Sequence, residues 1–234
     1  MKKTSLIILG LLIVWVIIGG WYLWNKEDKN QIHFDFGWWC WPDWSCAEKP
    51  VIYLYPETPQ EVIVDLDIIN PKDRFTTIYP QFSDVENHSW SVIADPDGTI
   101  YLDDKQYSYL FRESINTNTY NLNEWFVIHR DEAIEFLQES LSTLWLTPVE
   151  YNEMIVYRLP FIEQSPYSLI HFTTTEEYDA WYPLTISPEP DSILRVFMVV
   201  KPLNKMIAWI TPQQLEWFER KWFTVVEWGG SYLK

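Results

Sequence analysis

The amino-acid sequence predicts an α+β fold: an N-terminal single transmembrane helix followed by one mostly antiparallel β-sheet domain with a central helix pair. Three observations lead there. An uncharged apolar run opens the chain, strand-like patterns occupy both ends of the remainder, and two amphipathic helical patterns lie between them.

Residues 6–24 (LIILGLLIVWVIIGGWYLW) carry no charge. At 1.5 Å per residue they make a helix about 28 Å long, close to the hydrocarbon thickness of a bilayer. A cleaved signal peptide has a shorter apolar core and small residues at its cut site. This run ends in Trp21, Tyr22, Leu23 and Trp24, whose rings suit the membrane–water interface. Gly19 and Gly20 keep cleavage open as the alternative. Lys2 and Lys3 precede the run with no acid beside them, whereas Lys26 and Lys29 follow it mixed with Glu27 and Asp28. That asymmetry puts the N-terminus in the cytoplasm. The expected organisation is a cytoplasmic tail over 1–4, a signal anchor over 5–24, a juxtamembrane Trp-rich stalk over 25–46 and an extracytoplasmic acidic domain over 47–234. The localisation expected is the cell membrane, with a single pass.

Cys40 and Cys46, in CWPDWSC, are the chain's two cysteines. So close together on the oxidising side of a membrane, they read as one local disulfide. Closing the loop restricts the unfolded chain by about 2.4 kcal/mol on the chain-entropy model. A zinc site needs more ligands than two thiols and a distant His33 supply.

The domain opens with an apolar strand over 51–55, bounded by Pro50 and Pro56. In 61–69, Val62, Val64, Leu66 and Ile68 alternate with more polar neighbours, as in a sheet with one exposed face. Strands over 90–94 and 99–102 flank Asp95-Pro-Asp-Gly98, which is hairpin chemistry, and 107–111 is another strand. Residues 131–144 place Ile134, Leu137, Leu141 and Leu144 on one helical face. Thr147-Pro-Val-Glu150 starts a second helix with a capping box, ending near Arg158 before Pro160. Strands return over 167–173, 182–187 and 193–201. A short helix is expected over 211–221, then a last strand over 223–228 closed by Gly229-Gly230.

The chain holds 33 acidic against 17 basic residues, a formal net charge of −16. Such a surface repels phosphate backbones, so nucleic acid is not an expected partner. Fifteen tryptophans are several times ordinary usage. Trp38, Trp39, Trp41 and Trp44 form a loop-like cluster with two readings: rings that stack on sugars, or rings lying against lipid headgroups.

Several segments taken together resemble an uncharacterised protein family. Its opening signature is matched by Lys49-Pro-Val-Ile-Tyr-Leu-Tyr-Pro56, and the likeness continues in Tyr109-Leu-Phe-Arg-Glu113. There an aromatic would precede the Glu, where this chain has Arg112. It resumes in Pro188-Glu-Pro-Asp-Ser-Ile-Leu-Arg-Val-Phe-Met198 and closes with Val225-Val-Glu-Trp-Gly-Gly230. The resemblance spans about Lys49 to Ser231 and implies a single coherent domain. It implies no activity, cofactor or partner.

No Gly-rich phosphate loop, nucleophile elbow or H-E-x-x-H motif occurs, and no cofactor is expected. His33, His88, His129 and His171 are scattered, without the i, i+4 spacing of a metal clamp. Carboxylates are the remaining chemical inventory. Glu113 and Glu227 sit in apolar strand contexts, where an unpaired carboxylate is costly. Converging in one cleft, they would form the acid–base pair of a glycosidase. Paired with arginines such as Arg195 or Arg112, they would instead hold the sheet together. Asp95, Asp97, Asp103 and Asp104 crowd one hairpin and are weak candidates for a hard cation, although Asp-Pro-Asp-Gly is ordinary turn chemistry. The chain is therefore read as a recognition or structural protein at the cell surface, with an envelope glycan or a protein as partner, rather than as an enzyme. A membrane-tethered glycan hydrolase using the Glu113/Glu227 pair and an accessory subunit of a membrane assembly are the alternatives.

Overall fold

A computed structural model describes residues 45–120 and 124–233. Among them strand predominates, with twelve strands against two long helices, one short helix and a 3-10 turn. The expected α+β domain on a single sheet is corrected to a mostly β fold of two sheets. In the first, seven strands run in the order β3 (Arg74–Tyr79), β7 (Leu110–Asn116), β1 (Ser45–Tyr55), β12 (Thr224–Tyr232), β11 (Ser192–Leu203), β9 (Tyr167–Thr173) and β8 (Phe126–His129). All neighbours are antiparallel except β11 and β12. The second sheet is antiparallel throughout, in the order β10 (Leu184–Ser187), β2 (Gln60–Leu66), β4 (Ser89–Ala94), β5 (Ile100–Leu102) and β6 (Lys105–Tyr107).

Successive strand residues point to opposite faces. In β1, Val51 and Tyr53 join an apolar cluster with Leu137 and Leu141 of α1 (Ala133–Thr143) and Met154 and Ile162 of α2 (Pro148–Ile162). Ile52 and Leu54 join a different cluster, with Val62, Val64, Leu66 and Trp90 of the second sheet. The seven-stranded sheet is thus a middle layer covered on both faces. Double coverage is why β1, β11 and β12 read as near-continuous apolar runs. β2 lies in an outer layer and alternates, with Val62, Val64 and Leu66 buried while Glu61 and Ile63 face solvent.

Helix α1 ends in a Schellman turn. The Leu146 N–H donates to the Leu141 carbonyl (3.1 Å), and Trp145 occupies the left-handed position at φ +63°, where glycine is usual. At the start of α2, the Thr147 N–H donates to the Glu150 carboxylate (2.7 Å). The helix runs past its expected end at Arg158 and carries Pro160 in its last turn, which fully buried Ile162 anchors against the core. Strands β3, β6 and β8 and the short helix α3 (Thr175–Asp179) have no counterpart in the sequence reading. The helix expected over 211–221 does not form. Tertiary bonds override its propensity: the Gln213 side-chain amide bonds both backbone groups of Phe172, and Arg220 donates to the Trp145 carbonyl.

The membrane assignment is also corrected. No helix among the described residues is long and apolar enough to cross a membrane, and residues 5–24, on which the span was placed, lie outside them. The single-pass topology, the cell-membrane localisation and the extracytoplasmic placement, which rest on that span, have no support among the described residues. No disulfide occurs among the described residues; Cys40, expected to pair with Cys46, lies outside them, as do Trp38, Trp39, Trp41 and Trp44.

Gly229 and Gly230 do not close β12, which continues to Tyr232. They permit close packing instead. A Cβ on Gly230 would collide with the Met198 carbonyl oxygen and lie 2.7 Å from Arg158 Nη2. Substituting Gly230→Ala should therefore lower the unfolding free energy by about 1–3 kcal/mol, the usual cost of overpacking, read as a lower urea midpoint at unchanged slope.

Candidate functional site

Glu113 and Glu227 lie on opposite faces of the seven-stranded sheet. Phe111 is opposite Val51 in β1, so Glu113, two residues on, faces the helices. Glu227 is opposite Ile52, which faces the second sheet. The expected acid–base pair is not brought together.

Glu227 is fully buried between two arginines that are themselves buried. Its Oε1 accepts from Arg112 Nη2 (3.0 Å) and from the Tyr178 hydroxyl (3.1 Å), and its Oε2 accepts from Arg195 Nε (2.7 Å). Arg195 also pairs with Asp179 and donates to the Tyr182 carbonyl (2.8 Å). Arg112 lies over the Tyr182 ring at 4.5 Å and Arg195 over the Tyr178 ring at 4.2 Å. Burial pushes the Glu227 carboxyl up, but Arg195 and Arg112 outweigh it and hold the group below its ordinary value of 4.5. The position where the resemblance expects an aromatic holds Arg112, a planar cation in an aromatic box.

Glu113 belongs to a different constellation, built on a bulge in β1. Pairing with β12 and with β7 shifts register before Val51, and Lys49 takes φ +49° there. A non-glycine residue in that region costs about 1–3 kcal/mol and persists only where its surroundings enforce it. The Lys49 backbone amide draws the Glu113 carboxyl down. Arg158 holds Glu48 through its carbonyl (2.6 Å) and its carboxylate (2.9 Å). Pro50 packs so closely on Gly229 that a Cβ there would lie 3.0 Å from the Pro50 Cα. The Lys49 ammonium stands 3.7 Å from Glu153 Oε2 and over the rings of Trp228 (5.2 Å) and Tyr157 (5.5 Å).

Lys49, Glu113 and Glu153 line an open cleft of about 610 Å³, walled by Tyr79, Tyr107, Tyr109 and Tyr157. Burial pushes the Glu113 carboxyl up, against hydrogen bonds from Thr77 and Lys49 that pull it down. Burial, with Glu48, raises the Tyr157 phenol to about 12. Burial and Glu153 raise Tyr109. Three segments that carry the family resemblance meet here, since β7, β1 and β12 are neighbours. Lys49, Glu153 and the tyrosines escaped the sequence reading. The one signal for Lys49 was its place at the head of the opening signature. Glu153 and Tyr157 sit at i, i+4 on α2, a spacing that shares a helix face.

The aspartates serve turns. The Gly98 N–H donates to the Asp95 carbonyl (3.0 Å), the Thr99 N–H donates to Asp97 Oδ1 (2.9 Å), and Asp103 turns the chain between β5 and β6 at φ +53°. Asp104 lies in the same turn. Among the described residues no three His, Cys, Asp or Glu side chains are placed to hold a metal ion.

The Glu227 contribution to stability is complete above pH 4.5, its ordinary value, and is lost as pH falls through the lower value of the folded state. Replacing Glu227→Gln leaves two buried cations under-compensated. It should cost about 3–5 kcal/mol at neutral pH and flatten the acid limb of a stability–pH curve from urea titrations.

No family model matches the chain, and no solved structure does. The chain is similar to a protein of Butyrivibrio fibrisolvens described as an uncharacterized protein in the bglA 3' region, at 39% identity over 66 residues. That stretch covers 28% of this chain and 64% of the relative's own length.

Proposed function

We propose that the chain is a recognition module that binds a glycan in the tyrosine-walled cleft beside Lys49. The observation that carries this reading is the meeting of tyrosine rings with two carboxylates and an ammonium in one open cleft. Tyrosine rings stack on the apolar faces of sugar rings, and their hydroxyls bond outward. Carboxylates accept from sugar hydroxyls or a sugar ammonium, and Lys49 donates. Tyr79, 59% exposed and edge-on to Tyr107 at 5.5 Å, offers a platform without a core role.

A second reading, glycan hydrolysis, is favoured by the raised Glu113 carboxyl beside a second carboxylate, Glu153, in the same cleft. Two carboxyl groups in one cleft are the arrangement glycosidases use.

Titration calorimetry of the full chain with N-acetylglucosamine and glucosamine oligomers tests both. Binding is expected, and Tyr79→Ala should weaken it about tenfold while leaving the urea midpoint unchanged, as suits an exposed ring. Affinity indifferent to both Tyr79→Ala and Glu113→Gln would remove the cleft from consideration. Release of new reducing ends, abolished by Glu113→Gln, would establish the hydrolytic reading.

A further inference from the structure

The seven-stranded sheet has an unfilled edge inside it. The Val200 carbonyl accepts the Leu233 N–H (2.8 Å), and the Ser192 N–H donates to the Phe223 carbonyl (3.2 Å). Even-numbered peptides of β11 thus face β12, and odd-numbered ones face β9, because strand peptides alternate sides. β9 ends at Thr173, opposite Phe197, where the chain turns away into α3. The N–H and C=O groups of Ile193 and Arg195 are left facing a gap, with no partner among the described residues.

That gap opens into a groove of about 790 Å³. Leu194 and Val196, both buried, form part of its lining, and Thr173 lines the groove too, 6% exposed and with its hydroxyl unpartnered among the described residues. Glu124, Glu176, Glu177 and Glu216 stand around it. Trp217, 65% exposed, lies at its rim, edge-on to the left-handed Trp145 at 5.3 Å. The Arg195 guanidinium does not neutralise this rim, being engaged with Glu227 and Asp179.

We propose that this groove takes an extended basic peptide segment of a partner protein, added as a strand to the edge of β11. Two adjacent edge residues of one parity supply two donors and two acceptors, the main-chain half of strand-addition recognition. The carboxylates supply the charge that selects lysine and arginine at alternate positions. A second copy of this chain is a poor occupant, because it would bring a like acidic rim and another −16 of net charge to the contact.

The test is fluorescence polarisation of a labelled Lys-Val-Lys-Val-Lys peptide with the full chain. Its controls are the Glu-Val-Glu-Val-Glu counterpart and two basic peptides N-methylated at one or the other set of alternate residues. Only one set points its amides at the sheet. One methylated peptide should therefore bind at least about tenfold more weakly, the loss expected for missing backbone hydrogen bonds, while the other keeps its affinity. Glu176→Gln combined with Glu216→Gln should weaken the parent peptide and flatten its salt dependence. Hydrogen exchange at the half-buried Ile193 amide should be fast in the chain alone and slow with peptide. Equal binding by both methylated peptides would reduce the effect to charge attraction and overturn the proposal. So would an Ile193 amide that is protected before any peptide is added, because the edge would already be covered.

Discussion

The carboxylate of Glu227, held between Arg112 and Arg195 in the middle of the sheet, is the constraint on which the rest of the structure depends. Water is excluded from all three groups, so desolvation is repaid only when the geometry is met in full. Arg112 comes from β7, Glu227 from β12 and Arg195 from β11, with β1 threaded between the first two. A slip of one residue in any of these strands would turn a charged side chain to the helix face and leave the others uncompensated. Asp179, half exposed at the edge of the cluster, balances the second arginine. An apolar core at these positions would be no less stable in principle. It would not define register so sharply.

That register also decides which face of the sheet Glu113 occupies. With Arg112 turned inward to Tyr178 and Tyr182, its neighbour Glu113 is directed to the opposite face, beside the Lys49 bulge. The strained backbone at Lys49 is enforced from two sides, by Arg158 acting through Glu48 and by the close contact of Pro50 with Gly229. Rigid support of this kind keeps a small set of polar groups in fixed positions without a ligand present, which lowers the ordering cost of binding.

Local pattern was legible where one element settles its own fate. The β2 alternation, the Asp95–Gly98 turn and the Thr147–Glu150 cap each depend on residues a few positions apart, and each is present; of the face expected on α1, Leu137 and Leu141 are buried, whereas Ile134 is exposed. What could not be read depends on residues far apart. The 211–221 segment has helical spacing but is held out straight by bonds to Phe172, Trp145 and Glu150. β3, with four of its six residues exposed, offers no buried periodicity to find. The split into two sheets follows from pairing choices that no single strand encodes. Glu113 and Glu227 stand out in the sequence as carboxylates in apolar strands. The faces they occupy follow from register against β1, which is invisible in a single strand. Arginines were named as partners for Glu227, and both are there.

The placement of β1 has a consequence for how the protein is made. Its central neighbour, β12, is the last of the described strands, with Val51 opposite Trp228. A ribosome therefore delivers β1 long before the strand that completes it, and every residue between Val51 and Trp228 must emerge before the two can pair. Pairing across so large a separation is slow, because the loop must close before the contacts reward it. During that interval an apolar strand edge stands uncovered, which makes nascent chains aggregation-prone. Such a topology ties efficient production to chaperone capacity more than to the stability of the finished fold.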